Sequence, residues 1–428
     1  MSPLLPITLT IVLFLGHSGV MFALSRTTRA RTAEAPRELV FVVLVPCLDE
    51  GVVIDRSLAR LRASAPGNVL VLVVDDGSTD ATADLVLAHA REDARVHLLR
   101  RRPPHARQGK GEALNAAYRH VCDSDIVAGR DPHDVVVVVL DADGRPAPGM
   151  FEEAARSFAD PRCGGAQVGV RMYNVEESLL ARMQDLEFVA FTEVYQRART
   201  RVGSVGLGGN GQFTRLSALQ DLGRAPWTPC LTEDLDLGLR LLALGWRNDF
   251  CPGTYVAQQA VLSPRRLVRQ RSRWFQGHLQ CLRRVPLVVR SPLGVRTSLD
   301  LLHHLTAPFV ILLTSVLPPL LLGWVVLSLL DTGHPLVAFL ATEPLVLLGF
   351  YAITFALAPV LGYVYWTRTP VPLRTAMAYA HLYVLYAWLW YVAGWWAVLR
   401  VARGQRTWAK TARTRSAETL VVDEQPAA

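Results

Sequence analysis

Lysine is almost missing from this chain. Of its 45 basic residues only Lys110 and Lys410 are lysines, so arginine carries nearly all the positive charge. The formal net charge of +8 would suit nucleic acid or an anionic membrane surface. Because the arginines border apolar segments, membrane lipids are the expected partner and nucleic acid is not. Cysteine is sparse, and the six residues Cys47, Cys122, Cys163, Cys230, Cys251 and Cys281 include no Cys-x-x-Cys pair. That spacing argues against a zinc site or a disulfide framework and fits reduced cytosolic thiols. Full charge is absent from residues 3–24. A mean hydropathy of +0.23 is too high for a wholly soluble chain of 428 residues, and the apolar excess collects at 3–24 and 299–401.

Residues 3–24 are long enough for a helical membrane span of about 20 residues, and Arg26, Arg29, Arg31 and Arg37 follow them. A secretory signal carries its positive charge before the apolar run, so a cleaved leader is the poorer reading. The same charges place the amino terminus outside and the next domain in the cytosol. Three more apolar blocks lie at roughly 300–330, 343–366 and 375–400. Three crossings would leave the basic tail (Arg400, Arg403, Arg406, Lys410, Arg413, Arg415) outside, against the charge rule. A re-entrant block or a break at Pro318-Pro319 would restore it, and the number of crossings stays open. The expected organisation is a span at 1–25, a soluble domain at 38–262, an amphipathic interfacial segment at 263–298, a membrane region at 299–401 and a basic, then disordered, tail at 402–428.

Within the soluble part, FVVLVP at 41–46, VLVLVV at 69–74 and VVVVVL at 135–140 read as strands buried on both faces. The helical stretch 81–92 follows Ser78, Thr79 and Asp80, which can cap its amides. This alternation predicts an α/β domain with a mainly parallel sheet, whose ligands bind beyond the carboxyl ends of the strands.

Those strand ends are polar. The second runs into Asp75-Asp76-Gly77-Ser78-Thr79-Asp80, acids able to accept bonds from a ribose or nucleobase, or an ordinary capped turn. The third ends in Asp141-Ala142-Asp143-Gly144; alternate residues of an extended chain point the same way, so two carboxylates can share one hard cation, Mg²⁺ or Mn²⁺, with a diphosphate. Lys110 stands between glycines in Gln108-Gly109-Lys110-Gly111. This is no Walker loop, because position 104 is proline and no Ser or Thr follows the lysine. It is a compact charge suited to phosphate, or an exposed basic loop. Thr232-Glu233-Asp234 opens a helix; one carboxylate there can act as a base, although acids at a helix start also simply oppose the dipole. Gln270-Arg271-Ser272-Arg273-Trp274 lies in an arginine-rich stretch at 265–284. As an interfacial helix it would lay Leu267, Trp274, Phe275 and Leu279 into lipid, while an arginine beside an indole also suits a pyrophosphate and a sugar face. Gly206-Leu207-Gly208-Gly209-Asn210-Gly211 spells a dinucleotide fingerprint but follows no clear strand, so it is read as a loop touching substrate or as a plain turn.

In order and spacing, over about residues 38–284, these motifs resemble the family-2 glycosyltransferases, particularly the membrane synthases of cellulose, chitin, hyaluronan and poly-N-acetylglucosamine. The resemblance implies a GT-A-like domain flanked by membrane helices, in which Pro46 to Glu50 and Asp76 hold the nucleoside and Lys110 lies near the donor. It implies that Asp141 and Asp143 bind Mg²⁺ or Mn²⁺, Asp143 more directly, and that Asp234 is the general base. Gln270 and Arg273 would hold the donor diphosphate, with Glu233 and Trp274 on the acceptor side. The first-strand ending, Pro-Cys-Leu-Asp-Glu here, departs from the usual Pro-Ala-Tyr-Asn-Glu. The implied reaction is inverting transfer from a nucleotide diphosphate sugar, expected to be a UDP-sugar, to a growing β-linked polysaccharide. The alternatives are a glycolipid synthase adding one sugar to a lipid and a membrane protein that binds the nucleotide sugar without catalysis. The expected location is the cell membrane, multi-pass, with the catalytic domain cytoplasmic.

Overall fold

The structure is a computed structural model that describes residues 5–27, 34–36, 38–316, 319–320, 323, 326–327, 330, 348–349, 351–352 and 354–405. The described chain forms two compact units, one of Ala30–Asp185 with Gly206–Pro264, the other of Met1–Arg29, Leu186–Val205 and Arg265–Trp408.

The first unit is a three-layer α/β domain around eight strands: β1 (Val40–Cys47), β2 (Val69–Asp75), β3 (Val96–Arg100), β4 (Val135–Val139), β5 (Arg145–Pro146), β6 (Cys163–Met172), β7 (Gln212–Arg215) and β8 (Arg247–Gln258). Their order across the sheet is β3-β2-β1-β4-β7-β6-β8-β5. β3, β2, β1 and β4 run parallel, as the uninterrupted valine and leucine runs predict. β7 then enters antiparallel between β4 and β6, and β6 pairs parallel with β8. One face of the central strands (Val42, Leu44, Leu72, Val74, Val137, Val139) packs on Leu114, Tyr118, Trp227 and Leu241 in a single buried cluster. Burying apolar side chains of this size is worth about 1.5–3 kcal/mol each. The helix after β2 spans Thr82–Glu92. No side chain caps it at Ala81; instead Asp80 Oδ1 accepts the Thr82 N–H at 3.0 Å, one residue before the expected geometry.

The second unit is helical. Leu9–Thr27, Val295–Thr314 and Leu373–Ala402 are long and apolar enough to cross a membrane. Of the expected block at 343–366, the helix Ala358–Arg368 falls within the described residues and much of the remainder does not. Arg29, Arg31, Arg37, Pro318 and the tail basic residues Arg406, Lys410, Arg413 and Arg415 also lie outside them. Polar contacts tie this unit together. Asp300, buried in the second of the three stretches, accepts from Arg199 Nε at 2.9 Å and Ser204 Oγ at 2.7 Å and pairs with His17 Nε2 at 2.9 Å. Ser18 and Tyr195 share a hydroxyl contact of 2.8 Å.

The helix Pro264–Cys281 turns part of its apolar side into protein. Leu267 and Phe275 are buried within protein, and Trp274 and Leu279 are half-buried. The Phe275 ring packs where Gly394 has no side chain, only 3.0 Å from where a Cβ would stand. On the same helix Arg271 is also buried, paired with Glu187 at 2.5 Å. A guanidinium sequestered in this way needs protein around it rather than hydrocarbon.

Candidate active site

The ends of β1 and β2 are laced into one platform. Asp76 N–H donates to Cys47 O at 2.8 Å. Asp49, at φ +51°, accepts Thr79 N–H on Oδ1 at 2.7 Å and donates its own N–H to Ser78 Oγ at 2.9 Å. Glu50 N–H reaches Thr82 Oγ1 at 2.8 Å and Gly51 N–H reaches Asp80 Oδ2 at 2.9 Å. Backbone donors of one loop are thus met by short side chains of the other. Pro46 lies in β1 opposite Val74 of β2. Asp76 is buried and pairs with Arg101 from the end of β3. Burial raises its carboxyl above the ordinary range, and the Arg101 charge opposes that rise.

Beside this platform a lysine gathers three acids. Gly109, at φ +110°, turns the chain into the helix Lys110–Asp123. The Lys110 ammonium donates to Asp141 Oδ1 and to Gly209 O, both at 2.8 Å, and stands 3.8 Å from Glu233 Oε1. Asp234 converges on the same spot: a Cβ on Gly209 would lie 3.1 Å from Lys110 Nζ and 3.2 Å from Asp234 Oδ2. A side chain there would press on both charged groups. Burial pushes the lysine down, but Asp141, Glu233 and Asp234 more than compensate and hold it charged. Burial raises Asp234, with the Lys110 charge acting against it. Asp143 is buried and accepts the Gln259 N–H on Oδ2 at 2.9 Å. Three carboxylates around one ammonium, with Asp143 one step along the turn, leave an excess of hard oxygen donors. The donor set fits a divalent cation such as Mg²⁺ or Mn²⁺.

Residues 36–277, more than half of the chain, match the family described as glycosyltransferase like family 2. The chain belongs to this family. Over 321 residues it is 31% identical to the beta-monoglucosyldiacylglycerol synthase of Nostoc sp., covering 74% of this chain and 64% of that protein. Over 250 residues it is 27% identical to the poly-beta-1,6-N-acetyl-D-glucosamine synthase of Staphylococcus aureus, covering 56% of this chain and 55% of that protein. The chain therefore spans less than two thirds of the length of these curated relatives. A solved structure of the Pyrobaculum calidifontis mannosyltransferase PcManGT, in complex with GDP-Man and Mn²⁺, superposes with a TM-score of 0.57 at 19% identity, covering 90% of this chain and 96% of that one. That likeness shows a shared, GT-A-like fold.

Of the residues singled out by family-2 resemblance, Lys110, Asp141, Glu233 and Asp234 meet at one point, and Pro46, Glu50 and Asp76 form the adjoining platform. Gln270, Arg273 and Trp274 lie on the helix Pro264–Cys281 of the helical unit. There the guanidinium stacked on Trp274, at 4.1 Å, belongs to Arg271, which also donates to Gln270 Oε1 at 3.1 Å. Sequence reasoning passed over Arg101, Glu187, Gln167 and Gln258, each set by pairing between distant segments. It read the loop Gly206–Gly211 as touching substrate or as a plain turn, and in the structure Gly209 and Asn210 abut the acid cluster. The signal available was glycine itself, four in the six residues that precede β7, a composition that allows close backbone approach.

Proposed function

We propose that this chain transfers a sugar from a nucleotide diphosphate sugar, a UDP-sugar, to a growing β-linked polysaccharide with inversion at the anomeric carbon. The observation that carries this reading is the convergence of Asp141, Glu233 and Asp234 on Lys110 at the carboxyl ends of the parallel strands. Asp234 takes the proton of the attacking hydroxyl; it is half-buried, and its raised affinity for protons suits a base. Glu233 faces the acceptor. Pro46, Glu50 and Asp76 hold the nucleoside, and Lys110 is a fixed positive charge for the diphosphate. Asp141 and Asp143 hold Mg²⁺ or Mn²⁺, which when bound offsets charge developing on the leaving diphosphate. Gln270 and Arg273 serve the diphosphate and Trp274 the acceptor, by resemblance to the family motif. The domain works at the cytoplasmic face of a membrane that the apolar helices cross more than once.

A second reading, a glycolipid synthase that adds one sugar to a lipid, is supported by the Nostoc relative, which aligns at higher identity and over more of this chain than the polysaccharide synthase does. A binder without catalysis would have no use for Asp234. The deciding experiment offers a panel of radiolabelled UDP-sugars to purified membranes with Mg²⁺ or Mn²⁺ and separates lipid-extractable from polymeric product. Label in polymer supports the first reading, and label confined to lipid supports the second. No metal-dependent transfer from any donor would overturn both.

A further inference from the structure

The turn carrying Asp141 and Asp143 is stitched to its surroundings by amides. Asn210 is buried; its Oδ1 accepts the Asp141 N–H at 3.1 Å and its Nδ2 donates to Gln258 Oε1 at 2.8 Å. A backbone N–H can only donate, which fixes the orientation of the Asn210 amide. Gln167, also buried, braces the loop from the other side: its Nε2 donates to Asn210 O and its Oε1 accepts the Gly208 N–H, both at 2.8 Å. The residue after Gln258 donates its N–H to Asp143 Oδ2 at 2.9 Å. The fit is close, since a Cβ on Gly144 would lie 3.2 Å from Asn210 Oδ1. The bracing side chains, Asn210, Gln167 and Gln258, are all uncharged.

We propose that Asn210, braced by Gln167 and Gln258, is a positioning residue for the divalent cation: it orients the Asp-x-Asp turn through neutral hydrogen bonds and leaves the carboxylate charge for the metal. The proposal rests on the reading of Asp141 and Asp143 as the cation's ligands. A lysine or arginine at this position would orient the turn at the expense of the charge that attracts the ion, and Lys110 already draws on Asp141. An apolar residue would leave the Asp141 N–H without its acceptor and the turn free to rotate. Outer contacts of this kind alter metal affinity by about 10- to 100-fold when lost.

The test measures Mn²⁺ binding to the purified chain in detergent, without donor, from the electron paramagnetic resonance signal of the unbound ion. Metal-dependent transfer and thermal unfolding are followed on the same samples. For Asn210→Ala the expected result is Mn²⁺ affinity weaker by at least about tenfold, with the same shift in the metal concentration for half-maximal transfer. Transfer should recover as metal is raised toward saturation, because the ligands themselves are intact. Wild-type affinity in Asn210→Ala, alongside loss of binding in Asp143→Asn, overturns the positioning role. Equal binding by the wild type and Asp143→Asn overturns the ligand assignment instead. Should Asn210→Ala fail to fold, Gln258→Met decides the matter, with weakened Mn²⁺ binding expected and unchanged binding contradicting the proposal.

Discussion

Asp234 is set apart from the other acids of the site by where its charge must live. Burial holds its proton to a higher pH than an ordinary carboxylate, and Lys110 limits that rise. A base works when deprotonated, so kcat/KM should climb with pH through this raised value, and its acid limb should lie above the usual carboxylate range. A pH–rate profile at saturating metal checks this. The linkage runs the other way for stability: the folded state keeps the proton longer than the unfolded one, so stability falls as pH rises from the ordinary value to the raised one. Asp234→Asn should therefore lower transfer by about 100- to 10,000-fold while the thermal midpoint at neutral pH stays level or rises. Asp143→Asn should abolish transfer at limiting metal and leave membrane insertion intact, as judged by fractionation. Normal turnover in either variant would contradict the assigned role.

At the scale of elements, the start of the helix Lys110–Asp123 is where packing and chemistry meet. Gly111 lies against the Thr228 carbonyl, and a Cβ there would stand 2.7 Å from that oxygen. The clash is with backbone, so relief requires moving the helix or the segment at Trp227-Thr228, which Asn115 clamps through Trp227 N–H and O at 2.9 and 2.8 Å. Gly111→Ala should cost about 1–3 kcal/mol and weaken transfer by displacing the adjacent Lys110; denaturant unfolding and a transfer assay read the two effects separately. Gly67 has nothing within 4 Å of its would-be Cβ, and Gly67→Ala makes the control with stability near wild type. The strands were legible because a run such as VVVVV at β4 has few alternatives to a doubly covered position in a parallel sheet. β3 was not, because VHLLR is short and only partly buried.

Across the whole molecule, the segment Leu186–Val205 sits inside the family-matched sequence 36–277 yet belongs to the helical unit. Its polar residues explain why. Within that unit, Glu187 accepts from Tyr386 OH and Trp390 Nε1 at 2.8 Å each, and Arg199 pairs with Asp300. Asp300→Asn leaves the buried Arg199 without its counter-charge, a change that costs about 3–5 kcal/mol for a sequestered pair. The thermal midpoint of the detergent-solubilised chain should fall clearly, and an unchanged midpoint would show the cluster to be dispensable.

Hydropathy and the period of side chains are local properties, so the sequence by itself determined strands β1, β2 and β4, the acids at the ends of β2 and β4 and the apolar stretches at 3–24, from about 300 and from about 375. Pairing across 99 residues, as between Lys110 and Gly209, depends on which strand lies beside which. That order was decided only in the tertiary structure, where β7 inserts antiparallel between β4 and β6 and carries the Gly206–Gly211 loop up to the Asp-x-Asp turn. The recruitment of Leu186–Val205 to the helical unit was decided there too. A lone Glu or Arg in a helical stretch reads as surface until a partner far along the chain buries it.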